Sequence, residues 1–332
     1  MEGNFFANVE KIYLFSGAGN DFVVIDGREG DMSAYREALT IEALCREYGT
    51  DGLMILGQEM PGQAGHDGES QAGHDGQGVM AGPDRPSVDF TMEFYNPDGS
   101  GGMMCGNGGR CIVAFADLLG LRPGERFRHP FGLRNDKRDG VRKGENLFLF
   151  RAPDGLHTGE ILSRPEDGLW TVRIKMIDVY GVTPMLGGYF LNTGTRHFVK
   201  FVDDVEQVDV DAEGKALRWD PAFAPVGTNV NFVHVAPDGL HVRTFEKGVE
   251  GETLACGTGL TASAIAAYVK DSFVGPCPPR NDKAPGEVKA SYRLRARQDW
   301  LSVDFMPEAG DTFTDVYLTG PARWMSISPA RP

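Results

Sequence analysis

The sequence is poor in cysteine, in basic residues and in long apolar runs. Five cysteines among 332 residues do not make a disulfide framework, so we expect a protein with reduced thiols. Acidic residues outnumber basic ones by 47 to 33, for a net charge of −14, which argues against a nucleic-acid or anionic-membrane partner because clustered Lys and Arg bind these. No apolar run approaches the roughly 18–20 residues that cross a bilayer. The first residues carry no basic-then-apolar leader, and together these absences predict a cytoplasmic protein.

Glycine, by contrast, is abundant, with 44 residues. Part of it lies in a polar segment at about 57–88, which has almost no large apolar side chains and repeats QAGHDG. Such a segment cannot bury enough surface to offset its ordering entropy, so it is predicted to be a surface insertion. Its His66 and His74 lack further ligands at metal-binding spacing and are expected to be solvated. The basic, turn-rich segment 130–145 is predicted to be a second insertion.

The rest of the chain is predicted to be rich in strands. Short β-branched and aromatic runs alternate in part with polar residues and are bounded by Gly, Pro, Asn or Asp. Helices are few. Apolar spacing predicts one over 34–49, ending at Gly49, and two more over 105–120 and 256–271.

The last two helices both begin with Cys-Gly-X-Gly, at Cys105 and Cys256. Each lies late in its half of the chain, which indicates a duplicated domain with a sheet and one buried helix per copy. A helix start has unpaired N–H groups and a partial positive charge, and glycine lets a carboxylate approach them. The same field favours a thiolate. The other cysteines, Cys45, Cys111 and Cys277, lack this context and are expected to be small buried apolar side chains.

Two such cysteines suggest racemisation by two bases. If the two domains face each other, Cys105 and Cys256 can point at one carbon from opposite sides. One thiolate would remove the α-proton of an amino acid, and the opposite thiol would return a proton to the other face. The two helix starts would stabilise the charge that develops on the carboxylate. The spacing of the cysteines matches neither a zinc site nor a CxxC redox pair.

Several ordered motifs resemble those of the diaminopimelate epimerases. They run from about residue 11 to about residue 328 and comprise FSGAGNDFVVID (15–26), NPDGSGGMMCGNGGRC (96–111), GTNVNFVHV (227–235), RTFEKGVEGETLACGTG (243–259) and YLTGPA (317–322).

This resemblance implies a mixed α/β (α+β) fold of two pseudo-symmetric domains, each a mainly antiparallel β-barrel-like sheet wrapped around a central helix. We place the N-terminal domain at 1–122, completed by a C-terminal strand at 313–332, and the second domain at 123–312. The implied activity is the interconversion of L,L- and meso-diaminopimelate in lysine and peptidoglycan precursor biosynthesis, without pyridoxal phosphate or metal. The family works as cytoplasmic homodimers on this small-molecule substrate.

The resemblance also assigns roles to individual residues. The catalytic acid/base pair would be Cys105 and Cys256, with His197 and Glu246 tuning their pKa. Substrate contacts would come from the backbone amides of Gly106, Asn107, Gly257 and Thr258 and from Asn20, Asn96, Asn229 and Glu246.

Two positions depart from the family pattern. Thr195 stands where the family has Asn before Pro-His, and Lys247 stands where it has an Arg that grips the distal carboxylate. Lys keeps the charge but lacks the planar guanidinium with two parallel donors, so the distal carboxylate would be recognised more weakly or in a different geometry. A racemase of another amino acid on the same scaffold is therefore one alternative, and a binding protein without turnover is a second. Asp98, Gly99 and Ser100 are expected to shape a turn, and Arg110 to pair structurally with a carboxylate.

Overall fold

The computed structural model describes residues 11–58, 87–102, 104–124, 146–165, 167–274 and 289–329. The predicted insertion at 130–145 lies outside these residues, as does all but the two ends of the one at 57–88. His66, His74 and Cys277 also lie outside them.

The described residues form strands and helices that are numbered here in chain order. The strands are β1 Lys11–Gly17, β2 Asn20–Asp26, β3 Gly52–Gly57, β4 Phe90–Tyr95, β5 Leu147–Ala152, β6 Gly155–Ser163, β7 Leu169–Lys175, β8 Val179–Tyr180, β9 Thr183–Met185, β10 Gly188–Asn192, β11 Arg196–Phe201, β12 Asn229–Ala236, β13 Gly239–Glu246, β14 Gly251–Thr253, β15 Ala290–Arg295, β16 Trp300–Pro307 and β17 Thr312–Pro329. The α-helices are α1 Ala38–Tyr48, α2 Gly106–Leu118, α3 Val210–Arg218 and α4 Gly257–Val274.

Eight strands close into a first ring around α2. Hydrogen bonding runs from β1 through β2, β3, β4, β5, β6 and β7 to β17, which pairs back to β1. The pairings are antiparallel except β2 with β3 and β4 with β5. Helix α2 is buried from Gly106 to Ala116 because strands surround it, and such a helix carries apolar or small residues on every side.

A second ring, whose two end strands are not paired with each other in the described part of the chain, wraps α4. Its strands pair in the order β9, β10, β11, β12, β13, β15, β16, β17 and β8. Helix α4 buries Ala262, Ala264, Ile265 and Ala266 completely against this sheet. The prediction of a mixed α/β fold, with a mainly antiparallel barrel-like sheet around a central helix in each half, is confirmed.

The long strand β17 belongs to both rings. Residues 312 and 313 pair with β8, 313–319 with β16, 320–323 with β7 and 323–329 with β1. The rings therefore share a backbone, which fixes how their two central helices are placed relative to each other.

The limits of the two domains stay a prediction, on which the pairing of strands β5 to β7 bears. Strands β5 to β7 close the first ring, although the assignment places everything from 123 to 312 in the second domain. The strand pairing favours a limit between β7 and β8. Local sequence could not show this, because which sheet edge a strand joins depends on residues far away in the chain.

The predicted helices are close to the observed ones, with two differences. Helix α1 begins at Ala38 rather than 34, because residues 33–36 form a separate 3-10 turn and Glu37 between them is extended. It ends as predicted at Gly49, whose φ of 64° is the left-handed conformation that favours glycine. Helix α3 was not predicted. It begins after Asp209, whose side chain accepts a hydrogen bond from the Ala212 amide.

Candidate active site

Helices α2 and α4 meet at their first residues. A Cβ built on Gly257 would lie 3.5 Å from the Cα of Gly106, and one built on Gly106 would lie 3.7 Å from the Cα of Gly257. Both distances are those of ordinary van der Waals contacts, so the first residues of the two helices pack directly against each other. A Cβ on Gly257 would also lie 2.9 Å from the Leu318 Cδ2, closer than a side chain allows without a shift of Leu318. Cys105 and Cys256 each directly precede these glycines. The fold therefore brings to one place two thiols that are 151 positions apart in the sequence.

The environment of Cys105 works in two directions. Burial raises the pKa of its thiol, and the backbone N–H groups of Gly108 and Asn107 lower it. The negative charge of Glu246 raises the pKa further, whereas the Arg110 guanidinium lowers it. Cys105 is thus a desolvated thiol. Its thiolate form would accept hydrogen bonds from backbone N–H groups that are already in place, as expected at a helix start.

Cys256 is the more strongly perturbed thiol. Burial, followed by the charge of Glu246, raises its pKa well above the ordinary value for cysteine. The Thr258 hydroxyl, 3.4 Å from the Cys256 Sγ, and the backbone N–H of Gly259 act in the opposite direction. Cys105 also raises the pKa of Cys256, so the two sulfurs are close enough to oppose double ionisation.

His197 contacts Cys256 only through Thr258. Its side chain is fully buried, and its Nε2 lies 2.9 Å from the Oγ1 atoms of both Thr258 and Thr195. Burial lowers the pKa of His197 to about 3, so the imidazole is neutral near neutral pH. It can therefore orient the hydroxyls but carries no charge of its own.

Glu246 lies near both thiols at the end of β13. Burial raises the pKa of its carboxyl, and hydrogen bonds from Thr253 and Cys256 lower it. The Thr253 hydroxyl donates to the Glu246 Oε1 at 2.6 Å, which holds the carboxylate in place. Sequence analysis did not identify Thr253.

Asn20 and Asn107 connect the first ring to the segment before Cys256. The Asn107 Nδ2 donates to the Asn20 Oδ1 at 2.6 Å and to the backbone carbonyl of Ala255 at 2.9 Å. The Asn20 amide in turn donates to Asp51 at 3.3 Å. Asn107 was predicted to act through its backbone amide, and its side chain adds a link between the two halves of the site.

This arrangement can be compared with known proteins. The sequence profile described as diaminopimelate epimerase matches residues 189–295. A diaminopimelate epimerase from Flavobacterium psychrophilum is 32% identical over 320 residues, covering 95% of this chain and 98% of that protein. One from Aquifex aeolicus is 37% identical over 320 residues, covering 93% and 94%. The chain belongs to the diaminopimelate epimerase family.

A solved structure shares the fold at much lower sequence identity. The phenazine biosynthesis protein of the PhzF family from Bacillus anthracis aligns with a TM-score of 0.62 at 9% identity. The alignment covers 98% of this chain and 99% of that chain. The two structures therefore share the overall fold along nearly their whole length.

The two departures from the family pattern line the same cavity, and Thr195 is linked to Cys256 through the Thr258 hydroxyl. Thr195, Asn229 and Lys247 line a cavity of about 280 Å³, together with Asn192, Gly194, Arg196 and Val226. The amide of Asn229 donates to the Thr195 Oγ1 at 3.2 Å and accepts from the Lys247 backbone N–H at 2.8 Å. Asn229 thus contacts both residues that differ from the family pattern. The Lys247 side chain is exposed and is available to contact a ligand.

The prediction that Arg110 pairs with a carboxylate is wrong. The fully buried guanidinium donates to the backbone carbonyls of Pro321 and Gly106 and to the Asn107 Oδ1, at 2.9–3.2 Å. In the part of the chain that the structure describes, it makes no ion pair. Its positive charge lies one helical turn behind Cys105, which explains its effect on that thiol's pKa.

Asn96 lies in the turn that leads from β4 towards Cys105. Its amide donates to the Ser100 Oγ at 2.9 Å, and Asp98 accepts from the backbone and the hydroxyl of Ser100. The predicted turn at Asp98, Gly99 and Ser100 is thus confirmed. Among the described contacts, Asn96 touches none of the other predicted site residues.

Asn231 is the main site residue that sequence analysis missed. It lies on β12 two positions after Asn229, and its Nδ2 is 3.1 Å from the His197 Nδ1. Residues two apart on a strand share a face, so the Asn-Val-Asn pattern was the available signal. Arg196, which also lines the cavity, was likewise not predicted.

No group of three or more potential metal ligands occurs among the described residues. Within the same part of the chain, every helix is too short or too polar to cross a membrane.

Proposed function

We propose that this protein is a diaminopimelate epimerase that works without pyridoxal phosphate or metal and interconverts L,L- and meso-diaminopimelate. The observation that carries the proposal is the meeting of the two helix starts at Gly106 and Gly257, which brings Cys105 and Cys256 to one site. Membership of the diaminopimelate epimerase family supports the choice of substrate.

In the proposed mechanism the substrate α-carbon lies between the two sulfurs. One cysteine thiolate takes the α-hydrogen: an S–H bond forms, the Cα–H bond breaks, and its electron pair moves towards the α-carboxylate. The opposite thiol then gives its hydrogen to the other face of the carbon and becomes the thiolate. The reaction consumes no oxidant or reductant, and the roles of Cys105 and Cys256 exchange with its direction.

The helix starts would hold the α-carboxylate. Backbone amides at Gly106–Asn107 and Gly257–Thr258 lie at the positive ends of α2 and α4, where negative charge is stabilised. Charge on this carboxylate grows as the proton leaves, so donors fixed in advance lower the barrier without reorganising.

The pKa shifts support a pair in which the two cysteines are not ionised at the same time. Burial raises the pKa of both cysteines, and a charge on Cys105 raises the pKa of Cys256 further. The first proton is therefore lost much more easily than the second. Glu246 and His197 would tune this balance, the first by its charge and the second through Thr258.

The distal end of diaminopimelate is assigned to the cavity beside Thr195, Asn229 and Lys247. Lys247 would meet the distal carboxylate as a point charge rather than through a two-donor fork. Asn20 and Asn96 remain proposed substrate contacts because their motifs match those of the family. The proposed context is a cytoplasmic homodimer that supplies lysine and peptidoglycan precursors, with no nucleic-acid or membrane partner.

The test uses reduced protein and L,L-diaminopimelate in D₂O without added pyridoxal phosphate. Proton NMR follows loss of the α-proton signal, and chiral chromatography follows the meso product. We expect both to develop together. Absence of exchange on every amino acid tried would overturn the proposal and favour a binding protein.

A second candidate is a racemase of a different amino acid. The observation that favours it is the position of both departing residues, Thr195 and Lys247, in the same cavity. The same exchange assay with diaminopimelate and with basic and aliphatic amino acids distinguishes the two functions. Both use the same cysteine chemistry, so they differ only in which amino acid exchanges its α-proton.

A further inference from the structure

A series of hydrogen bonds leads from the core of the second ring to Cys256. The Asn231 Nδ2 lies 3.1 Å from the His197 Nδ1, the His197 Nε2 lies 2.9 Å from the Thr258 Oγ1, and the latter lies 3.4 Å from the Cys256 Sγ. Asn231 and His197 are both fully buried. Buried polar groups of this kind are hydrogen-bonded. Which atom donates in each bond of the series can be deduced from the other partners of the same groups.

The direction begins with the orientation of the Asn231 amide. Its Oδ1 accepts from the Thr244 hydroxyl at 3.0 Å, and its Nδ2 lies 3.3 Å from the backbone carbonyl of Phe198. A carbonyl oxygen can only accept, so the atom of the Asn231 amide that faces the Phe198 carbonyl must be the nitrogen. The atom that faces the His197 Nδ1 is therefore a donor, and Nδ1 must accept.

The position of the His197 proton follows. Burial lowers the pKa of this imidazole to about 3, so it carries one proton near neutral pH. Because Nδ1 accepts from Asn231, the proton is on Nε2 and is donated to the hydroxyl oxygens of Thr258 and Thr195.

A hydroxyl whose oxygen accepts from His197 keeps its own hydrogen to donate. The Thr258 Oγ1 lies 3.3 Å from the Thr195 Oγ1 and 3.4 Å from the Cys256 Sγ. The Thr195 oxygen already accepts from His197 and from the Asn229 amide. This leaves the Cys256 Sγ as the acceptor for the Thr258 hydrogen.

We propose that Asn231 is a positioning residue that fixes the His197 tautomer and so directs the Thr258 hydroxyl hydrogen onto the Cys256 Sγ. This favours the Cys256 thiolate in the half-reaction in which it removes the proton. The inference rests on the proposed function in assigning Cys256 to proton transfer. Backbone N–H groups favour both thiolates, those of Gly108 and Asn107 at Cys105 and that of Gly259 at Cys256, and Cys256 has the Thr258 hydroxyl in addition.

The first test measures ionisation of Cys256 without requiring turnover. Iodoacetamide reacts with thiolates, so the initial rate of alkylation against pH gives an ionisation midpoint, read by mass spectrometry of the Cys256 peptide. Glu246 and Cys105 also face this sulfur and are unchanged in every sample. Thr258→Val should raise the midpoint by about one pH unit or more, the effect of losing a hydrogen bond to a charged group. Thr258→Ser should restore it.

Thr261→Val is the matched control. Thr261 is buried on the same helix, and its hydroxyl donates to the Gly257 carbonyl at 3.0 Å instead of to a cysteine. Its loss should leave the midpoint unchanged. An unchanged midpoint in Thr258→Val, or an equal shift in the control, would overturn the role of the hydroxyl.

The second test observes the tautomer directly by ¹⁵N NMR of histidine-labelled protein. His197→Gln identifies the signals of this ring among the seven histidines. We expect the wild-type ring to be protonated on Nε2 and not on Nδ1, and Asn231→Asp, which offers Nδ1 an acceptor, to place a proton on Nδ1. A wild-type ring protonated on Nδ1, or a ring unaffected by Asn231→Asp, would overturn the role of Asn231.

Epimerisation measured on the same samples tests the proposed function separately. A protein that shows the predicted tautomer and the Thr258 effect but turns over no amino acid would refute the function and leave the hydrogen-bond series intact.

Discussion

The side chain of Asn107 in α2 donates a hydrogen bond to the backbone carbonyl of Ala255, 2.9 Å away and one residue before Cys256. This bond joins the helix that follows one candidate catalytic cysteine to the segment that carries the other. The Asn107 side chain is 1% exposed, and its Oδ1 accepts from Arg110 at 2.9 Å. It therefore sets the relative position of the two thiols.

Replacing Asn107 by leucine should lower both stability and activity. The change removes two donated bonds and leaves the buried Arg110 donor without its acceptor, at a cost of about 2–4 kcal/mol in the free energy of unfolding. Urea unfolding measures this cost. kcat should fall more than KM changes, because the separation of the thiols matters most in the transition state. An unchanged kcat in folded Asn107→Leu protein would show that the link is only structural.

Replacing either proposed catalytic cysteine should abolish epimerisation. Cys105→Ala and Cys256→Ala each remove one of the two proton-transfer groups, and such groups contribute roughly 10²- to 10⁴-fold in rate. Chiral chromatography of the meso product measures the loss. Cys45→Ala is the control, because Cys45 is a buried residue of α1 in a separate apolar cluster. Full activity in either single variant would rule out the two-base mechanism.

Stability should fall on acidification because His197 is buried in its neutral form. Its pKa is about 3 in the folded protein and about 6.5 in the unfolded chain, so below pH 6.5 the unfolded state binds the extra proton. The stability conferred by this difference is present above pH 6.5 and is lost as the pH falls towards 3. Between pH 6.5 and pH 5 the loss is about 2 kcal/mol.

Urea unfolding of wild-type and His197→Gln protein at these two pH values isolates this contribution. The wild-type protein should lose about 2 kcal/mol more than the variant over the interval, because the variant has no imidazole to protonate. Equal losses of unfolding free energy in the two proteins would mean that burial does not lower the pKa of His197.

Lys247 should determine affinity for the distal end of the substrate. Lys247→Arg should preserve or lower KM for diaminopimelate, since it supplies the planar fork that suits a carboxylate. Lys247→Ala should raise KM about tenfold or more and change kcat less, as expected for a contact distant from the reacting carbon. A large loss of affinity in Lys247→Arg would instead indicate a cavity shaped around lysine.

Much of the site could be predicted from local sequence. Cys105 and Cys256 were predictable as a pair because a glycine-flanked cysteine before an apolar run specifies a helix start, and the chemistry of a helix start depends on its own backbone. Gly49 as a helix end and the turn at Asp98–Ser100 follow from equally local conformational preferences.

The tertiary structure decided what depends on contacts between distant segments. The placement of β5 to β7 in the first ring, the contact of Arg110 with the Pro321 carbonyl and the contact of Asn231 with His197 all join segments that are far apart in the sequence. Composition and spacing show which groups a residue can bond. Packing selects the actual partner, because a buried donor must use whichever acceptor the fold brings within reach. The sequence thus determined which thiols and polar groups are available, and the fold determined which partners each of them contacts.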